Sequence, residues 1–122
     1  MSDWAFDLGN TRLKLAPLGP GCVGTVSAFA HDGQRLDPAW LGGLPPRIEV
    51  AWVASVGPAA VRADLLQALV PRAARVVEVR VEREMGGIRI GYDDPARLGI
   101  DRALAMVGAC VHATGPVLVV GV

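Results

Sequence analysis

Ile48-Glu49-Val50-Ala51-Trp52-Val53-Ala54-Ser55 is an apolar run broken only by Glu49. A strand with one solvated face alternates polar and apolar residues, whereas an unalternating run belongs to a strand covered on both faces. Such strands lie in sheets flanked by helices, so this segment limits the fold to a layered α/β arrangement. The residues after it agree. Pro58 suits the first turn of a helix, and Val61, Leu65 and Leu69 recur at four-residue spacing while Arg62, Asp64 and Gln67 face away. That helix ends by Pro71, and residues 76–81 read as the next strand.

Ahead of this unit, residues 4–8 read as a strand that stops at Gly9-Asn10, and residues 12–16 alternate as a second strand would. A turn at 17–21 leads to a third strand at 22–30, making a three-stranded antiparallel meander. Residues 36–44 suit a short helix followed by a loop at Pro45-Pro46. Downstream, 88–92 is a short extended piece, and Asp94-Pro95 starts a helix with Asp as cap and Pro at the first position. Leu104, Val107 and Val111 give that helix an apolar stripe, Gly115-Pro116 ends it, and a last strand begins at Val117 and runs out at Val122. The order β-β-β-α-β-α-β-α-β contains no internal repeat.

Composition narrows the function classes. At 122 residues there is room for one domain with its own core, and 52% hydrophobic against 20% charged residues is a globular balance. Twelve Lys and Arg balance twelve Asp and Glu, so no net charge draws the chain to nucleic acid or anionic lipid. The opening Ser2-Asp3-Trp4-Ala5-Phe6-Asp7 has no leader pattern and no apolar run is of membrane-spanning length, so a cytoplasmic protein is expected. Cys22 and Cys110 lack the spacing of a disulfide framework or metal site and are expected to pack, and His31 and His112 stand alone at expected surface or capping positions. Trp4, Trp40 and Trp52 are expected in packing roles, and the Arg72, Arg75, Arg80, Arg83 and Arg89 stretch, interleaved with Glu78, Glu82 and Glu84, reads as a solvated face.

Two segments carry chemistry. The first is Asp7-Leu8-Gly9-Asn10-Thr11-Arg12-Leu13-Lys14, on the expected hairpin turn. A phosphate chain needs backbone N–H groups and hydroxyls that approach without obstruction, and Gly9, Asn10 and Thr11 supply them in one turn. Asp7 can hold magnesium directly or through water, and Lys14 adds a point charge for phosphate. The plainer alternative is a Gly-Asn hairpin connector with an Asp cap.

The second is Tyr92-Asp93-Asp94-Pro95-Ala96-Arg97-Leu98-Gly99-Ile100-Asp101-Arg102. Phosphoryl transfer to a hydroxyl needs a carboxylate that accepts the proton, a role open to Asp101, and Arg102 can take a carboxylate by two parallel hydrogen bonds. Gly99 places a break that sets Asp101 and Arg102 near a helix N-terminus. The plainer alternative is an adjacent charged pair on a solvated helix.

The Asp-x-Gly-Asn-Thr hairpin resembles the first phosphate loop of the actin-like superfamily of sugar and acid kinases and chaperone ATPases. Taken with Val53-Ala54-Ser55-Val56, the Tyr-x-x-Pro-x-x-x-Gly-x-Asp-Arg block and the closing apolar strand, the order and spacing resemble the N-terminal half of type III pantothenate kinases. The resemblance implies an actin-like (ribonuclease H-like) α/β domain over 1–115, with 116–122 as the first strand of a second, truncated one. It implies ATP-dependent phosphorylation of pantothenate to 4'-phosphopantothenate, the first step of coenzyme A biosynthesis, by a homodimer that an isolated half could not perform. Asp7, Leu8, Gly9, Asn10, Thr11, Arg12, Leu13 and Lys14 would form the ATP site, with Asp7 near magnesium. Tyr92, Gly99, Ile100, Asp101 and Arg102 would contact pantothenate, with Asp101 as base and Arg102 at the substrate carboxylate. The family's monovalent cation, potassium or ammonium, sits beside an acid that precedes a Gly-Thr turn; Gly121 stands at that place and offers no ligand side chain. The same resemblance leaves room for a non-catalytic regulatory relative or another actin-like sugar kinase.

Overall fold

The first strands are fixed by alternation. In the computed structural model, which describes residues 2–120, β1 (Asp3–Leu8) and β2 (Arg12–Gly19) form an antiparallel hairpin in register from Asp3↔Leu18 to Leu8↔Leu13. Phe6, Leu8, Leu13 and Leu15 are buried on one face, while Asp7, Arg12 and Lys14 point to the other and are exposed. A two-residue turn at Asn10-Thr11 joins them, closed by the Gly9 N–H donating to the Arg12 carbonyl at 2.8 Å.

β5 (Ile48–Ser55) adds parallel to β1, from Trp4↔Ala51 to Leu8↔Ser55, and β6 (Ala73–Glu78) adds parallel to β5. With β3 (Cys22–Val23) and β4 (Ser27–Ala30) both paired to β2, the sheet runs β3-β2-β1-β5-β6 with β4 beside β2. The crossover between β5 and β6 is α1 (Ala59–Leu69), which lays Val61, Leu65 and Leu69 on the buried face. Trp40, in a 3-10 turn at Pro38–Gly43 capped by Asp37, meets Phe6 edge-on at a centroid distance of 6.1 Å. The Arg62–Glu78 ion pair, at 2.5 Å, ties α1 to β6.

Several expectations change. The third strand splits in two because Pro17 of β2 has no N–H for the ladder. Opposite it the chain bulges, Gly24 donating to the Pro17 carbonyl at 2.8 Å, and the pairing shifts by one residue between β3 and β4. The strand expected at 76–81 starts three residues earlier, since its register is set by Ile48↔Ala73. β5 is not covered on both faces throughout: Ala51 and Val53 are buried on one face, but Trp52 on the other is 37% exposed and donates to Asp3 Oδ2 at 3.2 Å. Cys22 and Cys110 are exposed rather than packed.

Contacts divide the chain into two compact units, 1–79 and 80–122. The second unit opens with a small hairpin of β7 (Glu84–Met85) and β8 (Ile88–Arg89), turned by Gly86 and Gly87 at φ of 55° and 84°. Only glycine suits Gly86, because a Cβ there would also lie 2.4 Å from Val107 Cγ1. The helix expected from Asp94 is instead a 3-10 turn at Pro95–Arg97, capped by Asp94, followed after Leu98 and Gly99 by α2 (Ile100–His112). The sequence of α2 has a defined apolar side at Ile100, Leu104, Val107 and Val111, yet only part of it is buried. Ile100 and Ala103 are buried, whereas Leu104 and Val111 of the expected stripe are 39% and 73% exposed. The core here is Ile90, Leu98 and Ala103, with Met85, Ile88 and Met106 against it. Residues 117–120 form no strand, since extended backbone becomes a strand only when a neighbour pairs with it, and the remainder of that expected strand lies outside the described residues.

Leu65, fully buried between α1 and the sheet, and Leu104, on the open face of α2, separate core from surface. Leu65→Ala should lower the unfolding free energy by about 3 kcal/mol in urea titration. Leu104→Ala should lower it by about 0.5 kcal/mol or less.

Candidate functional site

In the first unit the hairpin turn lies at the end of β1, where the sheet's central strands finish together. Asp7 and Lys14 are direct cross-strand partners, so both side chains stand on the exposed sheet face, next to Ala54 of β5. Leu8 and Leu13 face the core and serve the loop only through their backbones. The Gly9 N–H is engaged by the Arg12 carbonyl. The N–H groups of Asn10 and Thr11 have no acceptor among the described residues, and both side chains are exposed. The open backbone donors of the turn are therefore those of Asn10 and Thr11, with the Arg12 and Lys14 side chains exposed beside them.

A magnesium ion fits Asp7 in a limited way. The described residues hold no cluster of three or more acidic, His or Cys side chains, so at most one such side chain could join Asp7, with phosphate oxygens and water completing the shell. Magnesium bound with nucleotide commonly has that arrangement.

Two residues outside the motif fix this turn. His31 sends its Nε2–H to the Gly9 carbonyl at 2.9 Å while Nδ1 accepts the Gly33 N–H at 3.1 Å, and together these bonds assign the tautomer. Its backbone N–H also donates to the Thr11 carbonyl at 3.1 Å. The half-buried ring is therefore a strut under the loop rather than the surface residue the sequence suggests. Asp32 stabilises the strut's own turn by accepting the N–H groups of Arg35 at 2.7 Å and Gln34 at 2.8 Å. Those bonds, the one from Arg35 foremost, hold its carboxyl below the usual value of 3.8. Gly57, just after β5, is the second: a Cβ there would lie 2.7 Å from the Gly9 carbonyl oxygen and 2.9 Å from Leu8 Cγ. Neither residue has a sequence signal beyond the turn residues Gly33 and Pro58 beside them.

In the second unit the break expected at Gly99 is present, with Gly99 as the N-cap of α2. Asp101 and Arg102 fall in the first turn, both exposed, and Asp101 Oδ1 accepts the Arg102 N–H at 2.9 Å. The carboxylate thereby satisfies one orphan donor of the helix end and sits where the helix dipole favours negative charge. Asp101, Arg102 and Tyr92 line one open groove with Ile90, Leu98 and Met106, a depression of about 1280 Å³. Ile100 does not share it: it is buried, and its side chain belongs to the core.

The chain thus carries an exposed Asn-Thr hairpin turn in one unit and exposed Asp101 and Arg102 at a helix N-terminus in the other. Residues 4–122 match the family model of type III pantothenate kinases, and the chain belongs to that family. It is 45% identical over 122 residues to a type III pantothenate kinase of Xanthomonas euvesicatoria pv. vesicatoria. Identity is 46% to those of Xanthomonas axonopodis pv. citri and Xanthomonas oryzae pv. oryzae. Each match covers 100% of this chain and 49% of the relative, so the chain spans about half the length of the curated relatives it matches.

Because Gly57 abuts the Gly9 carbonyl, Gly57→Ala should displace the turn and destabilise the protein by about 1–3 kcal/mol. Amide NMR shifts should concentrate at Gly9, Asn10 and Thr11, whereas Gly42→Ala, with nothing within 4 Å of the added carbon, should leave them in place. A second expectation concerns acid. The lowered carboxyl of Asp32 contributes order that is present above its unfolded value and is lost as pH falls through the folded one. Acidification from pH 3.8 downward should therefore release the Gln34 and Arg35 amides to exchange, and Asp32→Ala should remove that transition.

Proposed function

We propose that the full-length protein transfers the γ-phosphoryl group of ATP to the primary hydroxyl of pantothenate, giving 4'-phosphopantothenate for coenzyme A synthesis. The observation that carries this reading is the family match over 4–122, which includes both motif segments in full. Its structural support is that each segment holds its reactive groups exposed on an ordered scaffold.

The chemistry assigned to the residues is as follows. Asn10 and Thr11 donate to ATP phosphate oxygens, with Arg12 and Lys14 offsetting their charge. Asp7 would hold magnesium, which when bound would offset charge on the phosphates. Asp101 accepts the proton of the attacking hydroxyl as the new oxygen–phosphorus bond forms and the bond to ADP breaks. Its Oδ1 is engaged by the Arg102 N–H, which leaves Oδ2 for that proton. The Arg102 guanidinium pairs with the carboxylate of pantothenate, and Tyr92 bounds the groove. Charge placement and positioning supply the rate, without a covalent intermediate.

The requirement for potassium or ammonium, the homodimer and the cytoplasmic location belong to the same proposal. Gly121, at the place of the usual cation-binding acid, lies outside the described residues. Among the described residues no helix is long and apolar enough to cross a membrane, and the chain has no net charge to favour polyanions.

With the full-length protein, Asp101→Asn should lower kcat by about a hundredfold or more in a coupled ADP-release assay, because the side chain keeps its shape and loses its basicity. Activity equal to wild type would remove Asp101 from the mechanism. Arg102→Ala should raise KM for pantothenate and leave KM for ATP in place. Phosphorylation of a sugar in preference to pantothenate would overturn the substrate assignment.

A further inference from the structure

Arg83 lies in the charged stretch that the sequence assigns to solvent, yet it is half-buried and spends its guanidinium on backbone. Nη1 donates to the Ile90 carbonyl at 2.8 Å and also to the Tyr92 carbonyl, and Nη2 donates to the Asp93 carbonyl at 2.8 Å. The Ile90 N–H returns a bond to the Arg83 carbonyl at 2.8 Å. One side chain thus gathers three carbonyls from a four-residue stretch.

Segment 90–93 has little else to order it. Ile90 is 1% exposed and anchored in the core beside Leu98 and Ala103. Beyond it, the N–H groups of Gly91, Tyr92 and Asp93 find no acceptor among the described residues. Tyr92 is 49% exposed and lines the same groove as Asp101 and Arg102. Three carbonyl dipoles aimed at one place repel unless a cation lies between them, so the charge that holds the segment also allows its curvature.

We propose that Arg83 is a positioning residue for the substrate side of the site: its guanidinium sets segment 90–93 so that Tyr92 faces the groove carrying Asp101 and Arg102. This rests on the pantothenate reading above. Arg83 does not touch the reacting atoms, so its removal acts on acceptor binding and leaves the ATP side unchanged. Lysine is not an equivalent, because a single ammonium cannot reach three carbonyls that the planar fork spans.

The test uses the full-length protein with Arg83→Ala and Arg83→Lys, measuring both KM values, kcat, thermal midpoint and deuterium uptake of the peptide covering 88–94. The expected result is a KM for pantothenate raised about tenfold or more in both variants, from loss of orientation rather than of a contact. KM for ATP should stay within about twofold, uptake across 88–94 should rise, and millimolar guanidinium should partly restore Arg83→Ala. An unchanged pantothenate KM in a folded variant overturns the proposal. So does a parallel rise of both KM values with a lowered midpoint, which marks Arg83 as merely structural. Should Arg83→Ala fail to fold, Arg83→Lys decides on the same criteria. Absence of pantothenate phosphorylation in the unsubstituted protein is a different failure: it removes the functional reading itself, and with it the substrate role of Arg83.

Discussion

The parallel ladder between β1 and β5 is the constraint on which the first unit depends. Because Leu8 and Ser55 are partners, the two strands end at one level and their exits, Gly9-Asn10-Thr11 and Val56-Gly57, emerge side by side. The Val56 N–H donates to the Leu8 carbonyl at 2.9 Å, carrying the ladder one residue beyond the strands. The same register places Asp7 with Lys14 on the open face and Phe6 with Leu8 on the core face. A slip of one residue would bury the carboxylate and expose the phenyl ring, so the burial of Phe6 fixes the orientation of Asp7. Hydrophobic packing at α1 therefore does more than stabilise: it specifies which side chains a ligand meets.

That register explains why a glycine is needed at 57. The exits lie so close that a Cβ at that position would overlap the Gly9 carbonyl, and the same carbonyl is held from another side by His31. With its N–H bonded to Arg12 and its carbonyl to His31, Gly9 is held through both backbone groups. The N–H groups left open among the described residues are those of Asn10 and Thr11, one and two residues on. The second unit repeats the scheme with different parts: Asp101 is set by Gly99 at a helix start, and the Tyr92 segment by Arg83.

Much of this was legible in the sequence, for identifiable reasons. The alternating strand β2 and the helix with a four-residue apolar spacing, α1, follow from period, and β1 from an apolar stretch that stops at a Gly-Asn turn. The break at Gly99 follows from the glycine itself. What was not legible depends on partners distant in sequence. The split of β3 from β4 needs Pro17 to be opposite Gly24, the start of β6 needs the register with Ile48, and the buried side of α2 needs its neighbours, since its apolar stripe at Leu104 and Val111 is left largely uncovered. The exposure of Trp52 has the same origin: an apolar run shows that a strand can be covered, and the layers present decide where it is.

A division of labour accounts for which site residues a motif can reveal. In the proposed reading Asn10, Thr11, Tyr92, Asp101 and Arg102 would meet ligands; all five are exposed and add little to packing, so their order must come from elsewhere. Here it comes through the backbone: His31 grips the carbonyls of Gly9 and Thr11, and Arg83 those of Ile90, Tyr92 and Asp93. A backbone carbonyl is chemically the same whatever its side chain, so such anchors leave no pattern in the segment they hold. They stand 22 residues away in one case and 7 to 10 in the other, within a turn and a charged stretch that each look ordinary in sequence. The exposed half of the site is written in motifs, and the half that holds it in place is written only in the fold.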